Sequence, residues 1–434
     1  MQEIVSYLKS KKVDYEIYSV FGQETSNEIF NDKVTFVESG TSISIGIRVA
    51  LGNKIGFCYT DSIKDYKRCV DAAIVSAKSN EPDKEFPGFG INGVKGKLSP
   101  NKDILDITPE WLTKESKEAI KGAQEINKNI HVSEGGVSKH LGKIRLITSE
   151  GLDVEESYGK LVASFSYVLK KDDIIENVGI MKAEDKKFSM EFGNEAARRL
   201  ETLFGRKSIN SGNYQLLLHP DALSELLSET YAFSINAENV HLNKSRFGSK
   251  LNQKVFSKKV SITDDGSTKG FLASRSFDAE GTKTKSVKII DNGVLKNFIY
   301  DMKYGKLFNK ASTGNAGRAA STIPAISTNN VFMKEGNAKD IFKECDNAIY
   351  VRGLLGAHTM NEASGDFSLG IQEGHLIKNG KVINPLKGVI IAGNLLELMN
   401  KVTAISKKTV HVPHNGCSYV LPYVLFDSVT VTSS

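Results

Sequence analysis

The stretch HLIKNGKVINPLKGVIIAGN, residues 375–394, predicts the fold of the C-terminal half of the chain. Asn379 and Gly380 stand between two apolar runs, and an Asn-Gly pair in that setting is a strong hairpin signal, because both residues readily adopt positive φ. Asn292 and Gly293 repeat the arrangement in KSVKIIDNGVLKNFIYD. Nearly every segment after about residue 255 is strand-like, so this half is expected to be mostly antiparallel sheet with a few helices.

One long helical pattern precedes these strands. After the strand YQLLL, the segment HPDALSELLSETYAFSINAENV, residues 219–240, predicts a helix. Pro220 stands early in the segment, Asp221 lies in its first turn, and Leu223 is among the residues that would face inward. Small polar residues in KSINSGN, 207–213, suggest a boundary, so the C-terminal domain is expected to span 207–434.

The N-terminal region, residues 1–206, is expected to be α+β, with helices packed on antiparallel strands. Two units of helix, strands and helix are predicted, at about 1–80 and 105–206, and the second opens with Thr108 as N-cap and Pro109 as the first helical residue. The two units share this order but no matching residues. The Pro- and Gly-rich segment 80–100 between them is expected to be a surface connection.

Composition excludes several classes of protein. The 434 residues carry 57 Lys and Arg against 51 Asp and Glu, but the basic residues are scattered, so the charge pattern does not indicate a nucleic-acid partner. No apolar window is long enough to cross a membrane, and the N-terminus has no signal-peptide pattern. Four cysteines without a CxxC pair agree with a reducing compartment. The protein is therefore expected to be soluble and cytoplasmic.

Four clusters in the C-terminal half are rich in Gly, Asn and Ser. Glycine permits tight turns and close backbone approach alike, so each cluster fits either a turn or the wall of a groove. Arg318 could bind a carboxylate of a ligand or form a structural ion pair. The clusters are SFDAEGTKTK (276–285), STGNAGR (312–318), NEASGDFSLG (361–370) and AGN (392–394).

Near the C-terminus, HVPHNGC, residues 411–417, places His411, His414 and Cys417 at steps of three. Imidazole nitrogen and thiolate sulfur are zinc ligands, but a site needs them to converge and normally needs a fourth ligand. The spacing around Pro413 does not ensure convergence. A metal site and a loop without metal both remain open.

In their order along the chain, the series SFDAEGTKT, IIDNGVLKNFIYD, STGNAGR, NEASGDFSLGIQEGHLIKNGKVINPLKGVIIAGN and NGCSYVLP resembles the third domain of the TldD/PmbA family, over about residues 213–430. This family has long been labelled modulators of DNA gyrase and is now regarded as cytoplasmic metallopeptidases. The resemblance implies proteolysis of unfolded peptides. It also implies that the chain functions as one of two paired subunits.

The family has two branches. The TldD branch carries HExxxH, whose two histidines and a C-terminal cysteine bind zinc while the Glu acts as base; the PmbA branch, also called TldE, lacks the histidines. At the matching place this chain reads SETYAF, with Ser228 and Phe233 instead of histidines and only Glu229 retained, and Cys417 matches the cysteine. The resemblance therefore implies a PmbA-type subunit that is itself non-catalytic.

Partners and site residues follow as expectations from the resemblance. The partner would be a TldD-like subunit with HExxxH, in a heterodimer, or a second copy in a homodimer, and an extended peptide would be the substrate. No cofactor is expected in this chain, although zinc is left open. The alternative is an independent zinc peptidase that uses Cys417, His414 and His411 with Glu229 as base; a nucleic-acid or gyrase-binding module is a third hypothesis. Residues expected to shape a substrate groove are Asn315, Arg318, Asn361, Ser364 and Asp366.

Overall fold

A computed structural model describes residues 1–91 and 93–433 of the chain. It confirms the α+β class, with helices on antiparallel strands in the N-terminal region and a sheet-rich C-terminal region. None of the described helices is long and apolar enough to cross a membrane.

The N-terminal region is built around one six-stranded antiparallel sheet with the order β3-β2-β1-β4-β5-β6. The chain passes twice through helix, three strands and helix, and the two passes meet where β1 pairs with β4. The strands are β1 (Asp14–Phe30), β2 (Lys33–Leu51), β3 (Lys54–Thr60), β4 (Ile130–Thr148), β5 (Asp153–Lys171) and β6 (Ile174–Glu184). The helices are α1 (Gln2–Ser10), α2 (Tyr66–Ser79), α3 (Lys102–Leu105), α4 (Pro109–Ile126) and α5 (Phe192–Leu203).

Local signals explain where these helices begin. The Thr108 hydroxyl accepts a hydrogen bond from the Trp111 amide at 3.2 Å, and Pro109 occupies the first turn of α4, where its missing N–H is not needed. Helices α4 and α5 pack through Ala123 and Gly193, and their apolar faces cover one face of β4, β5 and β6. The C-terminal region packs against the sheet's other face.

The C-terminal region contains an eleven-stranded mixed sheet, mostly antiparallel, and a two-stranded ribbon of β11 and β12. Its helices are α6 (Pro220–Leu226), α7 (Ala232–Ile235), α8 (Ala237–His241), α9 (Met302–Leu307) and α10 (Leu395–Leu398). Its strands are β7 (Gly212–Leu218), β8 (Ile262–Asp265), β9 (Ser286–Asp291), β10 (Val294–Leu295), β11 (Ala316–Gly317), β12 (Ala325–Ile326), β13 (Asn330–Met333), β14 (Asn347–Leu355), β15 (Asp366–Lys378), β16 (Lys381–Pro385), β17 (Val389–Asn394), β18 (Val402–His414) and β19 (Cys417–Ser433).

The Asn-Gly hairpins form as predicted. Asn379 and Gly380 have φ of 49° and 76° and join β15 to β16. Asn292 and Gly293 join β9 to β10 in the same way. A third turn of this kind, at Asn415, joins β18 to β19, so HVPHNGC is the tip of a hairpin rather than an irregular loop.

Two sequence-based expectations differ from the structure. The single helix expected over 219–240 is broken: a π-helical turn, Leu227–Tyr231, follows α6, and Asn236 adopts an extended backbone where its side chain caps α8. The connection 80–100, apart from Asn92, which lies outside the described residues, is not a purely surface segment. Its Phe89 is buried, with the Arg48 guanidinium over its ring, and the neighbouring Gly90 packs on the backbone oxygen of Glu280.

Candidate functional site

A cleft of about 1190 Å³ lies between the N-terminal sheet and the C-terminal region. Strands β4, β5 and β6 and helix α5 form one wall, and α6, β14, β15 and β18 form the other. The cleft combines the outer strand of one sheet with the hairpin that carries His411 and His414.

The N-terminal wall includes several small residues. Ser166 is paired with Gly179 across β5 and β6, and Ser164 is paired with Met181, so these residues share one face of the sheet. All four line the cleft. Because serine and glycine project little beyond the backbone, a ligand can approach the strands closely here.

The outer edge of β6 is exposed to this cleft. Strand β6 ends the six-stranded sheet, and its residues 177–184 all line the cleft. The Gly179 carbonyl points outward, because it accepts a hydrogen bond from Nη1 of Arg199 at 3.0 Å. In a strand without bulges, alternate residues point their N–H and C=O the same way, so the backbone groups of Met181 also face outward.

Ion pairs fix the geometry at the junction of the two regions. Nε of Arg352 lies 2.9 Å from a carboxylate oxygen of Asp221, and Nη2 lies 2.5 Å from Glu195 on α5. Arg199, also on α5, binds Glu373 of β15 at 2.5 Å. Because each pair is partly removed from water, the charges hold α5 against the C-terminal sheet more firmly than exposed pairs would.

Glu225 is the exception among the charges at this junction. Its half-buried carboxylate lines the cleft next to Asp221, and among the described residues nothing donates a hydrogen bond or forms an ion pair with it. Burial, with the neighbouring Asp221 charge, raises the pKa of Glu225 to about 7. No described residue therefore neutralises the Glu225 carboxylate, and a positively charged group of a ligand could do so.

Ser228, which stands where the resemblance expects a histidine, forms hydrogen bonds with protein groups. The Ser228 hydroxyl donates to the Glu225 carbonyl at 2.8 Å and lies 2.9 Å from Nε2 of His414. Since a hydroxyl has one proton, Nε2 of His414 is the donor in the second bond. Glu229 is half-buried in the π-helical turn, and burial, with nearby Glu362, raises its pKa.

The three candidate metal ligands of HVPHNGC are not brought together. His411 and His414 lie on opposite faces of β18, because three steps along a strand reverse the side-chain direction. Nε2 of His411 lies 2.7 Å from the Ser418 hydroxyl, and the Cys417 thiol donates to the Thr328 carbonyl at 3.5 Å. Burial raises the pKa of Cys417, which keeps it a thiol.

The donor set does not fit a zinc ion. No three His, Cys, Asp or Glu side chains within residues 1–91 and 93–433 form a group that could hold a metal ion. A serine hydroxyl at 228 and a phenyl ring at 233 also cannot replace imidazole ligands.

The five residues expected to shape a substrate groove do not line this cleft. Asn315 is fully buried and donates to Asp264 at 2.8 Å. Arg318 is buried against Glu16 of β1, 2.6 Å away, and forms a structural ion pair with it. The other three, Asn361, Ser364 and Asp366, bind one another in an exposed turn.

Sequence reasoning missed the residues that distinguish the cleft. Arg199, Arg352 and Glu373 come from distant segments, so no local pattern joins them. Glu225 could have been noticed, because it precedes Ser228 by three residues and therefore shares its helix face.

Comparisons with known proteins agree with this architecture. A family model described as PmbA/TldA metallopeptidase C-terminal domain matches residues 211–433, and one described as PmbA/TldA metallopeptidase domain 1 matches residues 15–77. An uncharacterized protein of Methanocaldococcus jannaschii is 30% identical over 416 residues, which cover 94% of each chain. A metalloprotease of the same organism is 25% identical over 406 residues, covering 89% of this chain and 88% of the relative. TldE from Thermococcus kodakarensis has a similar fold, with a TM-score of 0.93 and 23% identity over 100% of both chains.

Proposed function

This chain belongs to the PmbA/TldA metallopeptidase family, and on that premise we propose that it is a PmbA-type (TldE) subunit that holds an extended peptide without binding catalytic zinc. The outer edge of β6 carries the proposal. An extended peptide can add to such an edge through backbone hydrogen bonds, which makes binding largely independent of side-chain sequence.

The surroundings of β6 suit this mode of binding. The small residues Ser164, Ser166 and Gly179 leave room for the side chains of the added strand. Across the cleft, Glu225, to which no described residue supplies a cation, offers its carboxylate to a Lys or Arg side chain or an N-terminal amine of the peptide. A cation at that point would relieve the repulsion between Glu225 and Asp221.

The non-catalytic role rests on Ser228 and Phe233. Without imidazole at these positions, Glu229 has no metal-bound water from which to remove a proton. The site of hydrolysis then belongs to a partner that carries HExxxH, for which this chain supplies part of the peptide-binding surface. Location in the cytoplasm is part of the same proposal.

Peptide binding is tested by closing the β6 edge. Met181→Pro removes an outward N–H without removing a ladder hydrogen bond, so we expect the affinity for a fluorescently labelled, unstructured peptide to fall about tenfold or more. Ile175→Pro is the matched control, because Ile175 has the same orientation on β6 but does not line the cleft. Equal affinities of both variants and the wild type would contradict the proposal.

Metal analysis tests the non-catalytic role separately. We expect purified protein to contain far less than one zinc per chain and not to cleave the bound peptide. Stoichiometric zinc, lost together with peptidase activity in Cys417→Ala, would instead support the independent zinc peptidase.

A further inference from the structure

Two of the four cysteines share the interface between β3 and α2. Residues directly opposite each other in a ladder project to the same face of a sheet, and Cys58 of β3 is opposite Ile47 of β2. That face packs on α2, because Ile47, Cys58 and Cys69 belong to one apolar cluster. Cys69 lies in the first turn of α2, and both cysteines are free thiols.

The packing of α2 on β3 brings the two cysteines together. The helix crosses the strand closely at Gly56, where a Cβ would come within 2.0 Å of the Ala73 carbonyl oxygen. Because α2 follows β3 after a short connection, it runs back along the strand. Cys58 lies two strand residues beyond Gly56 on the same face, about 7 Å away. Cys69 lies one helical turn before Ala73, about 6 Å away. The two steps match, so Cys58 and Cys69 face each other.

The two thiols differ in their access to solvent. Cys58 is half-buried on the strand that ends the six-stranded sheet, whereas Cys69 is only 3% exposed. Burial raises the pKa of the Cys69 thiol, and a hydrogen bond with Cys58 raises it further. The thiolate is the reactive form of a cysteine, and a buried thiol with a raised pKa is a poor first nucleophile. Cys58 is therefore the thiol that a small oxidant reaches first.

We propose that Cys58 and Cys69 form a modification site, at which a two-electron oxidant converts the two thiols to a disulfide that tethers α2 to β3. The oxidant is a small molecule of one of two classes, hydrogen peroxide or a disulfide such as glutathione disulfide. Neither cysteine lines the peptide-binding cleft, so the proposal does not rest on the proposed function. In a reducing compartment such a bond is transient, and the pair is present as thiols between oxidations.

With hydrogen peroxide the reaction has two steps. The Cys58 thiolate attacks one peroxide oxygen, so that an S–O bond forms, the O–O bond breaks, and the departing hydroxide takes a proton to become water. The Cys69 sulfur then attacks the Cys58 sulfur, and the S–O bond breaks as the S–S bond forms. The hydroxyl group leaves with the Cys69 proton as a second water. The two thiols together lose two electrons, which reduce the peroxide.

With a small-molecule disulfide the same two sulfur atoms react in the same order. The Cys58 thiolate displaces one thiol of the reagent and forms a mixed disulfide. Attack by the Cys69 sulfur on Cys58 then releases the second thiol of the reagent, which carries away the Cys69 proton. The reagent is reduced to two thiols as the protein disulfide forms.

The other two cysteines provide an internal control. The Cys345 thiol donates to the Ile341 carbonyl at 3.5 Å, and the Cys417 thiol donates to the Thr328 carbonyl at the same distance. Both therefore bind backbone oxygen rather than a second sulfur, and neither is expected to form an intramolecular disulfide.

Peptide mapping tests the bond directly. Lys64, Lys67 and Arg68 separate the two cysteines, so trypsin leaves Cys58 in the peptide 55–64 and Cys69 in the peptide 69–78. After native protein is oxidised and its remaining thiols are alkylated, we expect these peptides as one linked species, which dithiothreitol separates. Recovery of the two peptides unlinked after both oxidants, or of Cys58 linked to any other cysteine, would overturn the proposal. A link formed with only one oxidant assigns the oxidant class.

A variant without the second thiol tests the order of the steps. In Cys69→Ala, Cys58 should keep a sulfenic acid that dimedone labels after peroxide, and a glutathione adduct after glutathione disulfide. Each adduct should exceed its wild-type level about tenfold or more, because the wild type resolves both. Cys345→Ala is the matched control and should behave as the wild type. Equal labelling of Cys58 in the wild type and in Cys69→Ala would overturn the proposal.

Hydrogen exchange tests the tether. A disulfide between Cys58 and Cys69 limits the separation of α2 from β3, so oxidation should slow exchange of the buried α2 amides about tenfold in the wild type. The same treatment should leave exchange unchanged in Cys58→Ser, in which the exposed partner of the pair is replaced and the buried Cys69 is kept. Equal exchange in oxidised and reduced wild-type protein would contradict the tether.

Discussion

Two edges of one sheet differ in what surrounds them. The outer edge of β6 faces a cleft whose opposite wall carries Glu225 and His414, whereas the outer edge of β2 extends into the open between Lys33 and Ser44. A walled edge admits one strand at a time and can select it by charge, while an open edge admits the flat sheet of another subunit. Position within the fold, rather than strand composition, thus sets what each edge can admit.

The largest expected effect is on the stability of the whole fold, to which both edges belong. Glu16 is completely buried between Arg48, at 2.7 Å, and Arg318, at 2.6 Å, where it joins the sheet to the C-terminal region. Glu16→Gln leaves two buried guanidinium groups without a counter-charge, so we expect the free energy of unfolding to fall by about 3–5 kcal/mol. Chemical denaturation measures it.

Glu156→Gln is the matched control for this change. The Glu156 carboxylate accepts hydrogen bonds from the Ser276 amide at 3.0 and 3.1 Å, and an amide oxygen can still accept one. We expect a loss of about 1 kcal/mol or less. Similar losses for Glu16→Gln and Glu156→Gln would contradict the role given to the ion pair.

A glycine pair tests the difference between covered and open strands. A Cβ at Gly96 would collide with the backbone oxygen of Glu155, so Gly96→Ala should displace the segment that covers β5 and cost about 1–3 kcal/mol. Faster hydrogen exchange of the Ser157 amide should accompany the loss. At Gly40 a Cβ meets open space, and Gly40→Ala should change stability by less than about 1 kcal/mol. Equal losses of stability in Gly96→Ala and Gly40→Ala would show that β5 is no more covered by the chain than β2 is.

The pH should change the affinity for a peptide that carries a cation. With a folded-state pKa of about 7, Glu225 is mostly protonated at pH 6 and mostly ionised at pH 8. A lysine-containing peptide should therefore bind about fivefold more tightly at pH 8 than at pH 6. Burial lowers the pKa of His411 and His414, which disfavours the charged form of both imidazoles.

Two variants refine the pH experiment. Glu225→Gln should remove the pH dependence of binding, and a peptide with norleucine in place of lysine should show none. A pH dependence that persists in Glu225→Gln would assign it to another group in the cleft.

The sequence predicted what local chemistry determines. Asn379 with Gly380 and Thr108 with Pro109 mark a hairpin and a helix start, because the backbone preferences that act there involve neighbouring residues only. The joining of both N-terminal units into one sheet depends on β1 pairing with β4, more than one hundred residues apart, for example Glu16 with Thr148. Hydrophobic patterns predict where strands lie along the chain but not which strands pair. This sheet and its two edges could therefore not be predicted from the sequence.

The candidate site was predicted less well for a related reason. HVPHNGC was considered as a metal site by spacing along the chain, yet on a strand three steps put His411 and His414 on opposite faces. Arg318 and Asn315 stand in Gly-rich clusters that looked like groove walls, but they are buried at the junction and in the core. Only the folded chain shows that β6 and Glu225 meet in one cleft.

The central claim is that this chain binds an extended peptide without using a metal. The most direct test is fluorescence anisotropy with a labelled, unstructured peptide, run with wild-type protein before and after exhaustive chelation, with the peptide recovered afterwards and checked for cleavage. The account predicts the same affinity in both samples, and intact peptide. Loss of binding on chelation, or cleavage that zinc restores, would contradict it.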